Sequence, residues 1–311
     1  MASSAIRPIV AIAGGTGSLG SHITTALLSP QFNPSFKEVR LLTQNIASEK
    51  AQSFAAKGAK PFNVNYSDEQ TVLSAIHGAD VVINALGGSV AGFPAKNALL
   101  AAVLKDGGIK VYIPSEFGID HRSNDFEHSE WIKKRDHAAK ARQSNMKVCQ
   151  VYCGLFMEHS FGPWFGYNTK KGVYESIGSA STKSAFTALE DVGKAVASLA
   201  RLPPSEIPDN VRIVGSNISF KEAAEIMSSI SGKPIETKEI ELGPYKARVT
   251  QKTEGDPASF IRFIMGEGKM DFSNNENEVV NPGEKFWKWK TVQEYAKEVG
   301  GLPWIEYGDT E

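Results

Sequence analysis

Four glycines within seven positions, Gly14, Gly15, Gly17 and Gly20, form the group of residues in this chain best suited to receiving an anion. They satisfy G-x-x-G-x-x-G counted from Gly14 and G-x-G-x-x-G counted from Gly15, spacings that let a turn tighten and let the backbone approach a pyrophosphate. Thr16, Ser18 and Leu19 complete the turn. It follows a strand begun by the β-branched Ile9 and Val10 and runs into Ser21 to Leu28, where apolar residues recur at helical spacing. A phosphate seated there would meet the free N–H groups and the positive end of the helix dipole, with no basic side chain required. The stretch predicts a dinucleotide site.

Such a turn works only where a sheet holds it, and the chain supplies the alternation that builds one. Strands are predicted at Val39 to Thr43, Phe62 to Asn65, Asp80 to Asn84, Lys110 to Ile113 and Val148 to Cys153. Between them helices are predicted from about Ser48, from Ser67 or Asp68, over Pro94 to Leu104 and over Ser129 to Gln143. This is an α/β pattern, a Rossmann-type doubly wound parallel sheet. Residues 1–155 are expected to form the nucleotide-binding domain. Residues 156–311 are expected to form a smaller α/β substrate lobe interleaved with returning elements of the main sheet, with a helix after Asp191, a strand at Val211 to Val214 and a helix from Ser219. A surface helix at Thr291 to Val299 should dock through Tyr295 and Val299.

In an open parallel sheet, ligands bind beyond the carboxyl ends of the strands, so the residues there carry the functional expectations. After the second strand stand Thr43, Gln44 and Asn45, with no Asp or Glu to hold ribose hydroxyls and with Lys50 as the nearby cation. That disfavours NADH and favours NADPH. The Asn84 to Gly88 loop, with Leu86 and Gly87, is small and flexible enough to pass beside the adenosine or nicotinamide half of the cofactor, with a plain loop the equal alternative. Ser115 ends the fifth strand, where its hydroxyl could touch substrate or nicotinamide, or could shape the turn beside Pro114. Glu116 is read as a buried structural acid ahead of a proton-relay partner. Tyr167 and Lys171 have the four-residue spacing of a dehydrogenase Tyr/Lys pair, but lie in a glycine-rich tract that argues against a helix, so the match is read as chance.

The glycine turn, the Pro114-Ser115-Glu116-Phe117-Gly118 run, a lysine on the next helix, Gly154-Leu155-Phe156, Phe186-Thr187 and Asp191-Val192-Gly193 together resemble the isoflavone-reductase-like group of the NmrA-like, atypical short-chain dehydrogenases, in a fungal-type branch. The resemblance implies an NADPH-dependent reductase of aromatic secondary metabolites; others in the wider group are noncatalytic sensors of the nicotinamide pool. It places the active lysine on Lys134, with Lys133 one register away. A lysine facing a dry cleft beside a nicotinamide can take or return a phenolic proton near neutrality. Without the resemblance, Lys133-Lys134-Arg135 reads as a solvated basic cluster, although Ala138 and Ala141 make the Lys134 face small and apolar. His137, one turn on, is expected at the surface unless it shares the pocket. Trp131, Phe156, Met157, His159, Phe161, Trp164 and Phe165 supply the aromatics and thioether that suit a flat aromatic ligand, with core packing the competing role for at least half of them. The run Phe161 to Gly166 departs from the plant enzymes, so their substrates do not carry over.

Composition excludes other classes. A formal net charge of −1 over 311 residues offers no basic field for nucleic acid and no polybasic segment for an anionic membrane. No apolar run approaches the ~20 residues of a bilayer helix, and Met1 to Pro8 lacks the apolar centre of a secretory signal, so a cytoplasmic monomer or homodimer is expected. Cys149 and Cys153 are read as core thiols on one strand, and no metal site is expected.

Overall fold

The computed structural model describes residues 7–87 and 92–305, and the chain divides into two compact units. The first comprises the chain up to Glu116 together with Lys133–Val151 and Val192–Val211; the second comprises Phe117–Ile132, Tyr152–Asp191 and the chain from Arg212. The passage at Val151 lies near the expected break at residue 155. The units nonetheless exchange chain more often than a single boundary allows, because residues 117–132 leave the first unit and 192–211 return to it. Gly88, the last residue of the expected loop after the fourth strand, lies outside the described residues.

The first unit is built on strands β1 (Ile9–Ala13), β2 (Glu38–Thr43), β3 (Lys60–Asn63), β4 (Val81–Asn84), β5 (Val111–Ile113) and β6 (Lys147–Val148), in the order β3-β2-β1-β4-β5-β6. All five pairings are parallel. Helices α1 (Ser18–Leu28), α2 (Glu49–Ala56), α3 (Glu69–Ile76), α4 (Phe93–Asp106) and α5 (Ser129–Ala141) connect them. Strands buried on both faces must be apolar throughout, and Val10, Ile12, Val82 and Ile83 are fully buried. Each such side chain contributes roughly 1.5–3 kcal/mol on burial. The helix starts are chemically specified: Ser48 Oγ accepts Ala51 N–H at the head of α2, and an Asp68 carboxylate oxygen accepts Gln70 N–H at the head of α3. The strand order reverses between β1 and β4, whose ends pair at Ala13 and Asn84. That switch point is where such a sheet opens a crevice.

The second unit contains two small sheets. Val173–Ile177 pairs parallel with Glu236–Ile240 and antiparallel with Tyr167–Asn168, while Lys183–Thr187 pairs with Ser216–Ser219 and Leu155–Phe156. Its core is aromatic. Phe161 stacks on Phe186 and Tyr295, and Tyr167 stacks on Phe220 with centroids 4.4 Å apart. Tyr167 is thus a core residue on a strand, while Lys171 is exposed, in keeping with the chance reading of that pair.

Two expectations need correction. The strand expected over Val148 to Cys153 is interrupted at Cys149, leaving Lys147–Val148 and Gln150–Tyr152 as separate strands because only the first follows β5. Cys149 and Cys153 therefore do not share one strand, although both are buried free thiols, and burial pushes the Cys149 thiol up to about 12. The helix expected after Asp191 starts earlier, at Leu189, which puts Glu190 and Asp191 in its first turn. Among the described residues, no helix is long and apolar enough to cross a membrane.

Candidate active site

At the carboxyl ends of β1, β2 and β4 the first unit holds a cavity of about 430 Å³, lined by Gly14, Thr16, Leu42, Thr43, Gln44, Asn45, Ser48, Tyr66, Leu86, Gly87, Gly92 and Ala95. The glycine turn forms one wall. Gly14 has φ +77°, and a Cβ there would lie 2.5 Å from the Ala85 carbonyl oxygen; one on Gly15 would lie 2.5 Å from a Leu41 methyl. These two glycines, with Gly20 beneath the Gly14 carbonyl, let the turn pack on its own sheet. Gly17 differs. Its φ of −71° suits any residue, and an added Cβ would meet only the Gly14 oxygen, at 3.2 Å. The absence of a side chain at Gly17 therefore leaves space outside the turn rather than within it.

That space lies at the start of α1, where Gly17 is the N-cap, makes no side-chain cap bond and has no acid in the following turn. Ser18 is exposed and Leu19 half-buried beside it. The arrangement fits a pyrophosphate, whose charge the helix start would meet with N–H groups. A second feature points the same way. Among the described residues the Tyr66 hydroxyl, buried in the cavity wall, has no hydrogen-bond partner, and burial raises its pKa, so it stays a protonated O–H donor. At the β2 end, Gln44 and Asn45 line the cavity, Asn45 Oδ1 caps the Ala47 N–H, and Lys50 Nζ lies 3.2 Å from the Thr16 carbonyl. The donor set fits an adenosine-side phosphate better than bare ribose hydroxyls, which an acid would hold.

Of the cofactor residues expected from the sequence, Gly14, Thr16, Gln44, Asn45, Leu86 and Gly87 line the cavity, while Gly15, Gly17, Ser18, Leu19 and Gly20 of the turn do not. Sequence reasoning passed over Tyr66, Ser48, Gly92 and Ala95. Tyr66 follows β3, so the same strand-end rule that selected Gln44 could have found it. Ser115 does not line this cavity; its hydroxyl donates to the Leu86 carbonyl at 2.9 Å and grips the loop that does.

On α5, Lys134 is half-buried and its Nζ donates to the Glu116 carbonyl at 3.0 Å, while Ala138 and Ala141 on the same face are buried. The Glu116 carboxylate is buried and accepts from Gln150 Nε2 at 2.8 Å, the structural role expected of it. Lys133 instead points over the Phe93 ring. His137 corrects the expectation of a surface histidine: it is buried, with Nε2 at 2.8 Å from the Tyr112 hydroxyl and Nδ1 at 3.0 Å from Asn97 Oδ1. Burial lowers its pKa to about 4, so it is neutral at physiological pH.

The aromatic residues of the second unit divide by exposure. Met157 and Phe161 are fully buried in its core, which corrects their assignment to a ligand pocket, because their surfaces are consumed by neighbouring side chains. Trp131 is buried against Phe126, His128 and Phe260. Phe156 and His159 meet edge to face and remain half-buried, as do Trp164 and Phe165. Among the described residues no cluster of His, Cys, Asp or Glu could hold a metal ion.

The model of the NmrA-like family matches residues 7–296. The chain belongs to the NmrA-like family. Among curated proteins, this NmrA-like chain is 24% identical over 313 residues to pinoresinol reductase 2 of Arabidopsis thaliana, covering 93% of this chain and 96% of the relative. Among solved structures, an isoflavone reductase superposes with a TM-score of 0.78 at 17% identity, covering 94% of this chain and 99% of that one. A binary complex of leucoanthocyanidin reductase with NADPH from Vitis vinifera superposes with a TM-score of 0.74 at 19% identity over 94% of this chain and 99% of its own. At these identities the superpositions speak for the Rossmann-type fold.

Proposed function

We propose that this NmrA-like protein is an NADPH-dependent reductase of an aromatic or conjugated small molecule, of the isoflavone or phenylpropanoid kind. The observation that carries the reading is the cavity beside the glycine turn, where Gly14 and Thr16 form one wall, the Tyr66 hydroxyl is buried with no partner among the described residues, and Gln44 and Asn45, not an acid, stand at the end of β2. The reductase names of the relatives, and the NADPH complex of one structural neighbour, support it. Gly14 to Gly20 bind the pyrophosphate through backbone N–H groups, Gln44, Asn45 and Lys50 orient the adenosine end, and Leu86 and Gly87, with Ser115 behind them, border the cofactor. When bound, NADPH supplies the hydride. Lys134 Nζ, anchored on the Glu116 carbonyl, takes or returns the proton. Within the second unit, Phe156 and His159 are half-buried aromatics of the kind that would touch a flat aromatic substrate.

The test is NADPH oxidation against aryl ketones, enones, quinones, isoflavones and benzylic-ether lignans, for the wild type and Lys134→Ala. Turnover should fall by roughly 10²–10⁴-fold in the variant while NADPH binding persists. Unchanged turnover would remove Lys134 from the chemistry. Tight NADPH binding without turnover on any substrate would replace the reductase with a noncatalytic NmrA-like sensor of the nicotinamide pool.

A further inference from the structure

A second set of polar side chains in the first unit lies behind the cofactor cavity and takes no part in the roles above. Asn84, fully buried at the end of β4, accepts the Leu86 N–H at Oδ1 (3.2 Å) and donates through Nδ2 to the Tyr112 hydroxyl (2.9 Å). A backbone N–H can only donate, so Leu86 settles which end of the Asn84 amide faces which way. The Tyr112 oxygen then accepts from Asn84, and among the described residues His137 Nε2, 2.8 Å away, is the acceptor left for its own proton. His137 is thereby the tautomer with its proton on Nδ1, which donates to Asn97 Oδ1 at 3.0 Å. One backbone group orients four side chains in series, from β4 through β5 and α5 to α4.

What the series holds is specific. Leu86 and Gly87 line the cofactor cavity, and Leu86 is gripped at both backbone polar atoms, its N–H by Asn84 and its carbonyl by Ser115. Tyr112 partners the Asn84 amide nitrogen and His137 Nε2 partners the Tyr112 proton, so each bond keeps its neighbour from turning to another partner. We propose that His137, acting through Tyr112 and Asn84, is a positioning residue that holds the Leu86–Gly87 backbone in the conformation NADPH requires. The proposal rests on the NADPH reading of the cavity.

The test uses full-length protein and NADPH itself, titrated by calorimetry, together with hydrogen exchange at the Leu86 amide. Tyr112→Phe removes one hydroxyl with little change of shape and should raise the NADPH Kd about tenfold while exposing the Leu86 amide to faster exchange. His137→Leu should do the same. His137→Gln, which can present an acceptor to Tyr112 and a donor to Asn97, should restore most of the affinity. A lowered melting temperature with unchanged NADPH affinity and unchanged Leu86 exchange in Tyr112→Phe and His137→Leu would overturn the positioning role and leave a packing role only. A wild-type protein that does not bind NADPH would overturn the cofactor reading and this proposal with it, a result distinct from equal binding by wild type and variants.

Discussion

Lowering the pH should cost the wild-type protein more stability than it costs His137→Gln, and the difference can be worked from the environment of His137. Burial disfavours its imidazolium; the charges of Lys96 and Lys140 act in the same direction and that of Glu116 opposes them, leaving the pKa lowered from 6.5 to about 4. Tyr112 and Asn97, its hydrogen-bond partners, are uncharged at these pH values. The sign follows from which state binds the proton first. Between 6.5 and 4 the unfolded chain is protonated and the folded chain is not, so stability is full above the unfolded value and is lost progressively as the pH falls through this window. The interval corresponds to roughly 3 kcal/mol, complete below the folded value. Since His137 is only 7% exposed, solvent screening removes little of this. Denaturant unfolding followed by near-ultraviolet circular dichroism at about pH 7 and about pH 4 measures it, and the carboxylates common to both proteins cancel in the difference. Wild type and His137→Gln losing stability in parallel across the window would refute the reasoning, because an imidazole that titrates alike in both states contributes nothing.

The glycines of the turn should separate cleanly. Gly17→Ala, whose methyl would meet the Gly14 oxygen at 3.2 Å and replace an N-cap glycine, should cost at most ~1 kcal/mol of stability, yet raise the NADPH Kd at least ~tenfold by filling the space outside the turn. Gly20→Ala, whose methyl would run into the Gly14 carbonyl, should destabilise by ~1–3 kcal/mol; equal melting temperatures for the two variants would contradict the packing described. Lys50→Ala should weaken NADPH by about tenfold and leave NADH unchanged in paired calorimetric titrations, since only the former carries the extra phosphate. A parallel loss for both cofactors would place Lys50 at the turn alone, through its bond to Thr16.

The first unit was readable because its signals are local. A β-branched run before glycines at fixed spacing, Ser48 and Asp68 at helix heads, and short apolar strands at regular intervals each report on their immediate neighbourhood, and the parallel order follows from the alternation. The second unit was less readable. Aromatic density between Phe156 and Tyr167 is the same signal whether the rings face a ligand or each other, and partners distant in sequence, Phe186, Phe220 and Tyr295, decide that Phe161 and Tyr167 are core. His137 was misjudged for a related reason. A histidine among lysines on a polar helix reads as solvated, and its inward turn depends on Tyr112 and Asn97, 25 and 40 positions away. Neither residue announces itself in the sequence.

The oriented series from Leu86 to Asn97 also constrains how this protein can change over generations. Asn84, Tyr112 and His137 each complete the valence of a neighbour, so replacing Tyr112 by phenylalanine alone strands an amide on one side and a ring nitrogen on the other. Exchanging His137 for an aliphatic residue alone strands a buried hydroxyl. A lineage can discard the arrangement only through an intermediate that carries an unsatisfied buried group, or by changing several positions at once. The three positions should therefore be inherited as one character: hydrogen-bonding together where Tyr112 is kept, and apolar together where it is not.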